Sequence, residues 1–252
     1  MHSASLPVLL LASLSLATAA HAYEPAGEAI VYEVGDEPFE GYFTGADGDA
    51  RGTILIVHDW DGLDDYERQR ADMLAEQGYD AFAIDLFGQN QRPETVEERQ
   101  EATSALYSDR ERMRELTLAG LAQAREQEAA EEVVIMGYCF GGAVALEIAR
   151  SGEAENVAGY VSFHGSLATP EGQEWPEEVP PLLIAHGAAD ESVTLEDVAT
   201  LVEELEAIEA TYEVEIYSGA PHAFTVFDGE RYQERADKKS WAAFMTYLGE
   251  VL

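Results

Sequence analysis

Short apolar runs bounded by turn-forming residues recur along this chain, at 29–34, 39–44, 53–58, 81–85, 133–137, 157–164, 182–186 and 212–217. From the third onward they are near-continuous rather than alternating, which predicts parallel strands covered on both faces. Helical stretches fall between them, at 64–77, 93–102, 109–128, 140–150, 195–209 and 232–248. Asp64 is placed to cap the first, with Glu67 three residues on, and Gly78 is placed to end it. This alternation predicts one α/β domain of about eight strands, mainly parallel after an antiparallel start, with crossover helices on both faces. In such sheets the reactive groups gather at the carboxyl ends of the strands.

The chain of 252 residues is long enough to bury a substantial core. No repeat, low-complexity block or Gly/Ser/Pro linker divides residues 23–252, so they are expected to form a single domain. Residues 1–22 differ from the rest. They hold no Lys, Arg, Asp or Glu, carry an apolar stretch over 6–20 and end in Ala20-His21-Ala22. That reads as a secretory signal peptide cleaved after Ala22, and it predicts export to the periplasm or the medium. The stretch is short for a membrane span of about 20 apolar residues, so no stable membrane insertion is expected after cleavage.

Charge removes further classes of function. With 50 acidic and 14 basic residues the formal net charge is −36, which disfavours nucleic acid and anionic membranes as partners. The only lysines are Lys238 and Lys239, and the acids are dispersed along the chain. Such dispersal suits a halophilic setting, where the Debye length shrinks to about 3 Å at 1 M salt and self-repulsion is screened. An ordinary acidic protein is the plainer alternative. A monomer is expected.

The chemistry centres on the one cysteine. The strand at 133–137 runs into Gly137-Tyr138-Cys139-Phe140-Gly141-Gly142 and then into a helical pattern, which is a nucleophile elbow with Cys in the place of Ser. Glycines two before and two after the nucleophile let the tight turn form. A sulfur at a helix N-terminus is expected to favour thiolate. A thiol needs a base and the base an orienter, in the chain order nucleophile, acid, histidine. Asp190 follows the strand at 182–186, and His222 follows the strand at 212–217. Cys139, Asp190 and His222 are therefore the candidate triad. The oxyanion donors expected are the backbone N–H groups of Phe140 and of Trp60, after the strand at 53–58.

At these residues the sequence resembles the dienelactone hydrolase family of the α/β-hydrolase superfamily, across nearly all of residues 23–252. The segments that carry the resemblance are His58-Asp59-Trp60-Asp61-Gly62-Leu63 with Asp65-Tyr66, Gly78-Tyr79 leading to Asp85-Leu86-Phe87-Gly88, the elbow itself, and His186-Gly187 through Asp190 to His222-Ala223-Phe224. The resemblance implies an α/β-hydrolase fold and hydrolysis of a small ester or lactone through a thioester acyl-enzyme, with no metal or organic cofactor. It also implies a carboxylate after the third strand that keeps the resting cysteine neutral until substrate displaces it. Asp59 stands at that position, one methylene shorter than the family's Glu. The family member named for dienelactone grips a substrate carboxylate with an Arg four residues after the catalytic His; here that residue is Val226, which argues for a neutral or differently shaped ester.

Other readings stay open from sequence alone. The same acyl-enzyme serves an acyltransferase or thioesterase, a thiol peroxidase or sensor would need Cys139 without the triad, and a non-catalytic binding protein can retain the fold. His164 and His186 each end an apolar run before Gly, where a hydrogen bond to a neighbouring loop is the expected role and a metal site is not. His58 is a candidate support for the oxyanion loop. Trp60, Phe87, Phe224 and Phe227 are candidates for an acyl pocket or for ordinary packing. Arg110, Arg112 and Arg114 read as a solvated helix face with local ion pairs.

Overall fold

Strand punctuation by turn residues produces an eight-stranded sheet in the order β1-β2-β4-β3-β5-β6-β7-β8. The computed structural model describes residues 23–127 and 129–252, so the expected leader lies outside the described residues. β1 (Glu28–Val34) and β2 (Glu37–Thr44) form an antiparallel hairpin, and β2 pairs antiparallel with β4 (Asp80–Ile84). Every later pairing is parallel, through β3 (Thr53–Val57), β5 (Val133–Tyr138), β6 (Val157–Phe163), β7 (Leu182–Gly187) and β8 (Tyr212–Tyr217).

The continuous apolar runs fill both faces because side chains alternate across a strand. Leu55, Val57, Ile84, Val133 and Ile135 enter one core with helices α2 (Val96–Ser108), α3 (Arg110–Glu126), α4 (Phe140–Ser151) and α5 (Leu195–Ala207). Ile54, Ile56, Ala83, Val134 and Met136 enter the other with α1 (Asp65–Ala75) and α6 (Glu234–Val251). Helices therefore cover both faces, as the alternation predicts. None of the described helices is long and apolar enough to cross a membrane.

β8 departs from the expectation of a strand covered on both faces. Its sequence alternates Glu213 and Glu215 with Val214 and Ile216, it lies at the sheet edge, and Ile216 is 48% exposed. α2 departs in its bounds. The capping box of Thr95 with Glu98 starts the helix later than Pro93, and it continues past Ala102 to Ser108. Asp109 then ends α2 and caps α3, accepting the Arg112 N–H at 3.0 Å.

Candidate active site

β5 ends at Tyr138, and Cys139 follows with φ 51° and ψ −110°. That backbone costs a residue with a side chain about 1–3 kcal/mol, so its neighbours must hold it. The Cys139 N–H donates to the Phe163 carbonyl at 3.0 Å, and the Cys139 carbonyl accepts the Ala143 N–H at 3.3 Å. The flanking glycines are forced by contact. A Cβ on Gly137 would meet the Gly141 carbonyl at 2.2 Å, and one on Gly141 would meet the Val57 carbonyl oxygen at 2.1 Å. The second contact also locks the end of β3 against the start of α4.

Three loops converge on the sulfur. Nε2 of His222 lies 3.1 Å from Cys139 Sγ, and Nδ1 of His222 lies 2.8 Å from Asp190 Oδ2. The loops after β7 and β8 are tied together by Ala188 N–H to Tyr217 O and Ala189 N–H to Ala220 O, both 2.9 Å, which sets Asp190 and His222 as one unit. The other Asp190 oxygen accepts the Ser192 and Val193 N–H groups at 2.8 and 3.0 Å. Burial pushes this carboxyl up, but the bonds from His222, Val193 and Ser192 outweigh it and leave Asp190 below its ordinary range. An ionised Asp190 accepts from Nδ1–H, which leaves Nε2 unprotonated and facing the sulfur.

The expected thiolate is corrected. Burial first, then the charges of Asp59, Asp190 and Asp61, push the Cys139 thiol up to about 12, against the Phe140 N–H, which points at the sulfur and lowers it. Cys139 is half-buried, and one backbone donor and a helix terminus do not offset its acid-flanked setting. At neutral pH the sulfur rests as S–H.

Asp59 is 6% exposed. Burial, and then a shared hydrogen bond with the Asp61 carboxyl, raise it well above the ordinary carboxylate range. Its Oδ1 accepts the Asp61 N–H at 3.0 Å, so the shorter side chain engages its own loop. His58 supports the same loop from behind: Nδ1 donates to the Asp59 carbonyl at 2.6 Å, and Nε2 accepts the Leu86 N–H at 3.1 Å. Trp60 packs on the apolar cluster that includes Phe140. Arg99 of α2 holds Trp60 from outside, its guanidinium 5.4 Å over the indole and 3.4 Å from Asp61 Oδ2.

His164 and His186 take loop-bonding roles, Nε2 of His164 lying 2.8 Å from Thr225 Oγ1 and Nε2 of His186 3.0 Å from the Val193 carbonyl. Among the described residues no three His, Cys, Asp or Glu side chains are grouped to hold a metal ion. The aromatic candidates divide. Phe224 is fully buried packing, Phe227 lies against Arg70 at 4.2 Å, and Phe87 stacks on Phe140 at 5.9 Å and walls a groove of about 560 Å³ behind α2. That groove does not include Cys139.

Two features escaped the sequence reading. Tyr107 sets its ring edge on Phe140 at 5.3 Å, and burial, then the charge of Cys139, raise its phenol. It lies on the part of α2 beyond Ala102, and the absence of Gly or Pro from 103 to 108 was the signal that the helix goes on. The arginines are also not all solvated: Arg110 and Arg114 both meet the fully buried Glu147 at 2.8 Å, whereas Arg112 pairs with Glu37 and Glu115 nearer the surface.

The sequence profile of the dienelactone hydrolase family matches residues 39–252. This chain belongs to that family. It is accordingly an ester-bond hydrolase on the α/β-hydrolase fold. Among curated relatives of the dienelactone hydrolase type, it is 28% identical over 212 residues to a probable 2-oxo-3-(5-oxofuran-2-ylidene)propanoate lactonase of Bradyrhizobium, covering 77% of this chain and 82% of the relative. It is 27% identical over 197 residues to a carboxymethylenebutenolidase homolog of Mus musculus, covering 77% and 78%. Among solved structures, a dienelactone hydrolase-like promiscuous phosphotriesterase from metagenomic libraries superposes with a TM-score of 0.82 at 26% identity, covering 90% of this chain and 98% of the other.

Proposed function

We propose that this chain opens a small neutral ester or lactone through a thioester on Cys139, with His222 as general base and then general acid and Asp190 as its orienter. The observation that carries the reading is the unbroken line Asp190 Oδ2, His222 Nδ1, His222 Nε2, Cys139 Sγ, at 2.8 and 3.1 Å. The S–H proton passes to Nε2 as Sγ bonds to the substrate carbonyl carbon. The oxyanion is stabilised by the N–H groups of Phe140 and Trp60, worth about 2.7–4 kcal/mol per donor in comparable sites. Collapse breaks the ester C–O bond, and the leaving oxygen takes the proton from the imidazolium. Water, deprotonated by His222, then attacks the thioester carbonyl; the C–S bond breaks, the acid leaves, and His222 returns the proton to the sulfur.

A resting thiol pushed up to about 12 suits this route and disfavours a peroxidase or redox sensor, which needs an exposed thiolate. Val226 where a substrate-gripping Arg would stand favours an uncharged acyl group. The lactonase and carboxymethylenebutenolidase names of the relatives agree with ring opening. We further infer export, from the uncharged apolar leader ending in Ala20-His21-Ala22, which N-terminal sequencing of the mature protein tests. Catalysis is tested with a panel of chromogenic short esters and lactones, and intact-mass analysis. Wild-type protein is expected to gain one acyl mass that Cys139→Ala does not gain; full turnover in Cys139→Ala would overturn the reading.

A further inference from the structure

Three residues beyond His222 lies Thr225, tied down more heavily than a loop position needs. It is 1% exposed. Its carbonyl accepts from Arg70 Nη2 at 2.9 Å. Its hydroxyl accepts from the Tyr66 hydroxyl at 2.7 Å and lies 2.8 Å from His164 Nε2. The His164 ring in turn stands 5.3 Å from the His222 ring, inclined at 63°.

Arg70 is a rigid anchor. A buried guanidinium is tolerated only when paired and hydrogen-bonded, and this one has the Asp237 carboxylate, the Thr225 carbonyl, and the rings of Phe227, Trp241, Tyr66 and Tyr138 at 4.2, 5.1, 5.3 and 5.7 Å. Tyr138 immediately precedes the nucleophile, so a single cation touches both the elbow and the loop of the base. The proton order along the chain of hydroxyls also follows. The Tyr66 phenol is the more acidic O–H and the better donor, so it donates to Thr225, and the single Thr225 proton goes to His164 Nε2. That order puts the His164 proton on Nδ1, a buried nitrogen with no hydrogen-bond partner among the described residues.

We propose that Thr225 is a positioning residue for His222: Arg70 clamps its carbonyl, and its hydroxyl relays a hydrogen bond from Tyr66 to His164, which braces the His222 imidazole in line between Asp190 and Cys139. This rests on the triad reading above. Burial and the charges of His222 and His186, against the opposing charge of Asp190, hold His164 well below the ordinary imidazole range, so the brace stays uncharged when His222 takes up the thiol proton. An uncharged ring can stand against an imidazolium without repelling it.

The relay is tested without reference to activity by NMR of protein labelled with 15N at histidine. His164 is expected to show an unprotonated Nε2 in the wild-type protein and in Thr225→Ser, and to lose that single tautomer in the isosteric Thr225→Val. The kinetic arm uses the same variants and Tyr66→Phe, each checked by thermal unfolding. Thr225→Val is expected to lower kcat about 10- to 100-fold with KM within about threefold, the pattern of a misaligned base, and Thr225→Ser to recover to within about threefold of wild type. Tyr66→Phe should fall between them. A His164 ring with a protonated Nε2 would overturn the relay even if the triad stands, and an unchanged kcat in folded Thr225→Val would overturn the positioning role. Full activity in Cys139→Ala overturns the triad itself, a result the NMR arm leaves distinguishable from failure of the relay.

Discussion

The loops after β7 and β3 each bring an aspartate to the same sulfur, and the two carboxyls end in opposite states. Asp190 is 7% exposed and Asp59 6%, and burial is the first cause that pushes each carboxyl up. What opposes it differs. Asp190 receives the His222 ring and two backbone N–H groups and is held below its ordinary range. Asp59 receives one N–H and faces further carboxyls, Asp61, Asp64 and Glu67, and is raised well above it. At this end of the sheet one carboxyl, Asp190, is thus held toward its charged form beside His222, while Asp59 in the facing loop is held toward its protonated form. In the same way Glu67, which bridges the Asp59 and Asp64 N–H groups at 3.3 and 3.2 Å, is raised by burial and by Asp59 and Asp64.

The sharpest test of this contrast is Asp190→Asn, which keeps the shape but presents the wrong partner to Nδ1–H. A fall in kcat of about 10³-fold or more is expected in ester hydrolysis kinetics; a fall under tenfold would make the two loops equivalent. Next in size are opposite pH slopes in thermal unfolding. Asp190, depressed in the fold, contributes stability that is present above the ordinary carboxylate range and is lost as pH falls through its folded value. Glu67 and Asp59, raised in the fold, bind protons that the unfolded chain has released, so they lower stability as pH climbs from the ordinary carboxylate range through their folded values. Glu67→Gln removes the titration but keeps an acceptor for only one of the two N–H groups, because an amide nitrogen replaces the other oxygen. It should melt below wild type at pH 4, because one N–H loses its acceptor, and the gap should close or reverse toward pH 8, by about 2–4 °C for each kcal/mol relieved. The smallest effect is expected of Asp59→Asn, whose kcat should stay within about threefold of wild type because the side chain engages its own loop, at the Asp61 N–H, and makes no hydrogen bond to the sulfur. A hundredfold change there would mean that Asp59 gates the thiol directly.

Local signals carried much of the architecture. The eight strands were legible to within a residue or two because Gly, Pro and Asp punctuate them, and the elbow was legible because Gly137, Cys139 and Gly141 satisfy a backbone demand within five positions. What sequence could not supply was environment. The thiol state depends on acids from two separate loops, Asp59 and Asp61 after β3 and Asp190 after β7. Arg70 meets Thr225 across 155 residues and Asp237 across 167, a span with no periodicity to betray it. β8 differs from a strand covered on both faces because Glu213 and Glu215 alternate with its apolar residues and it lies at the sheet edge.

The edge position of β8 has a consequence for how activity is gained and lost. Strand β8 docks on β7 alone, with its outer side open, yet the loop behind it delivers the histidine. Edge elements sit toward the weak end of the local opening scale. With His222 as the proposed base, turnover is expected to report the condition of this edge strand, heat or denaturant silencing the protein while the central sheet is still protected from hydrogen exchange.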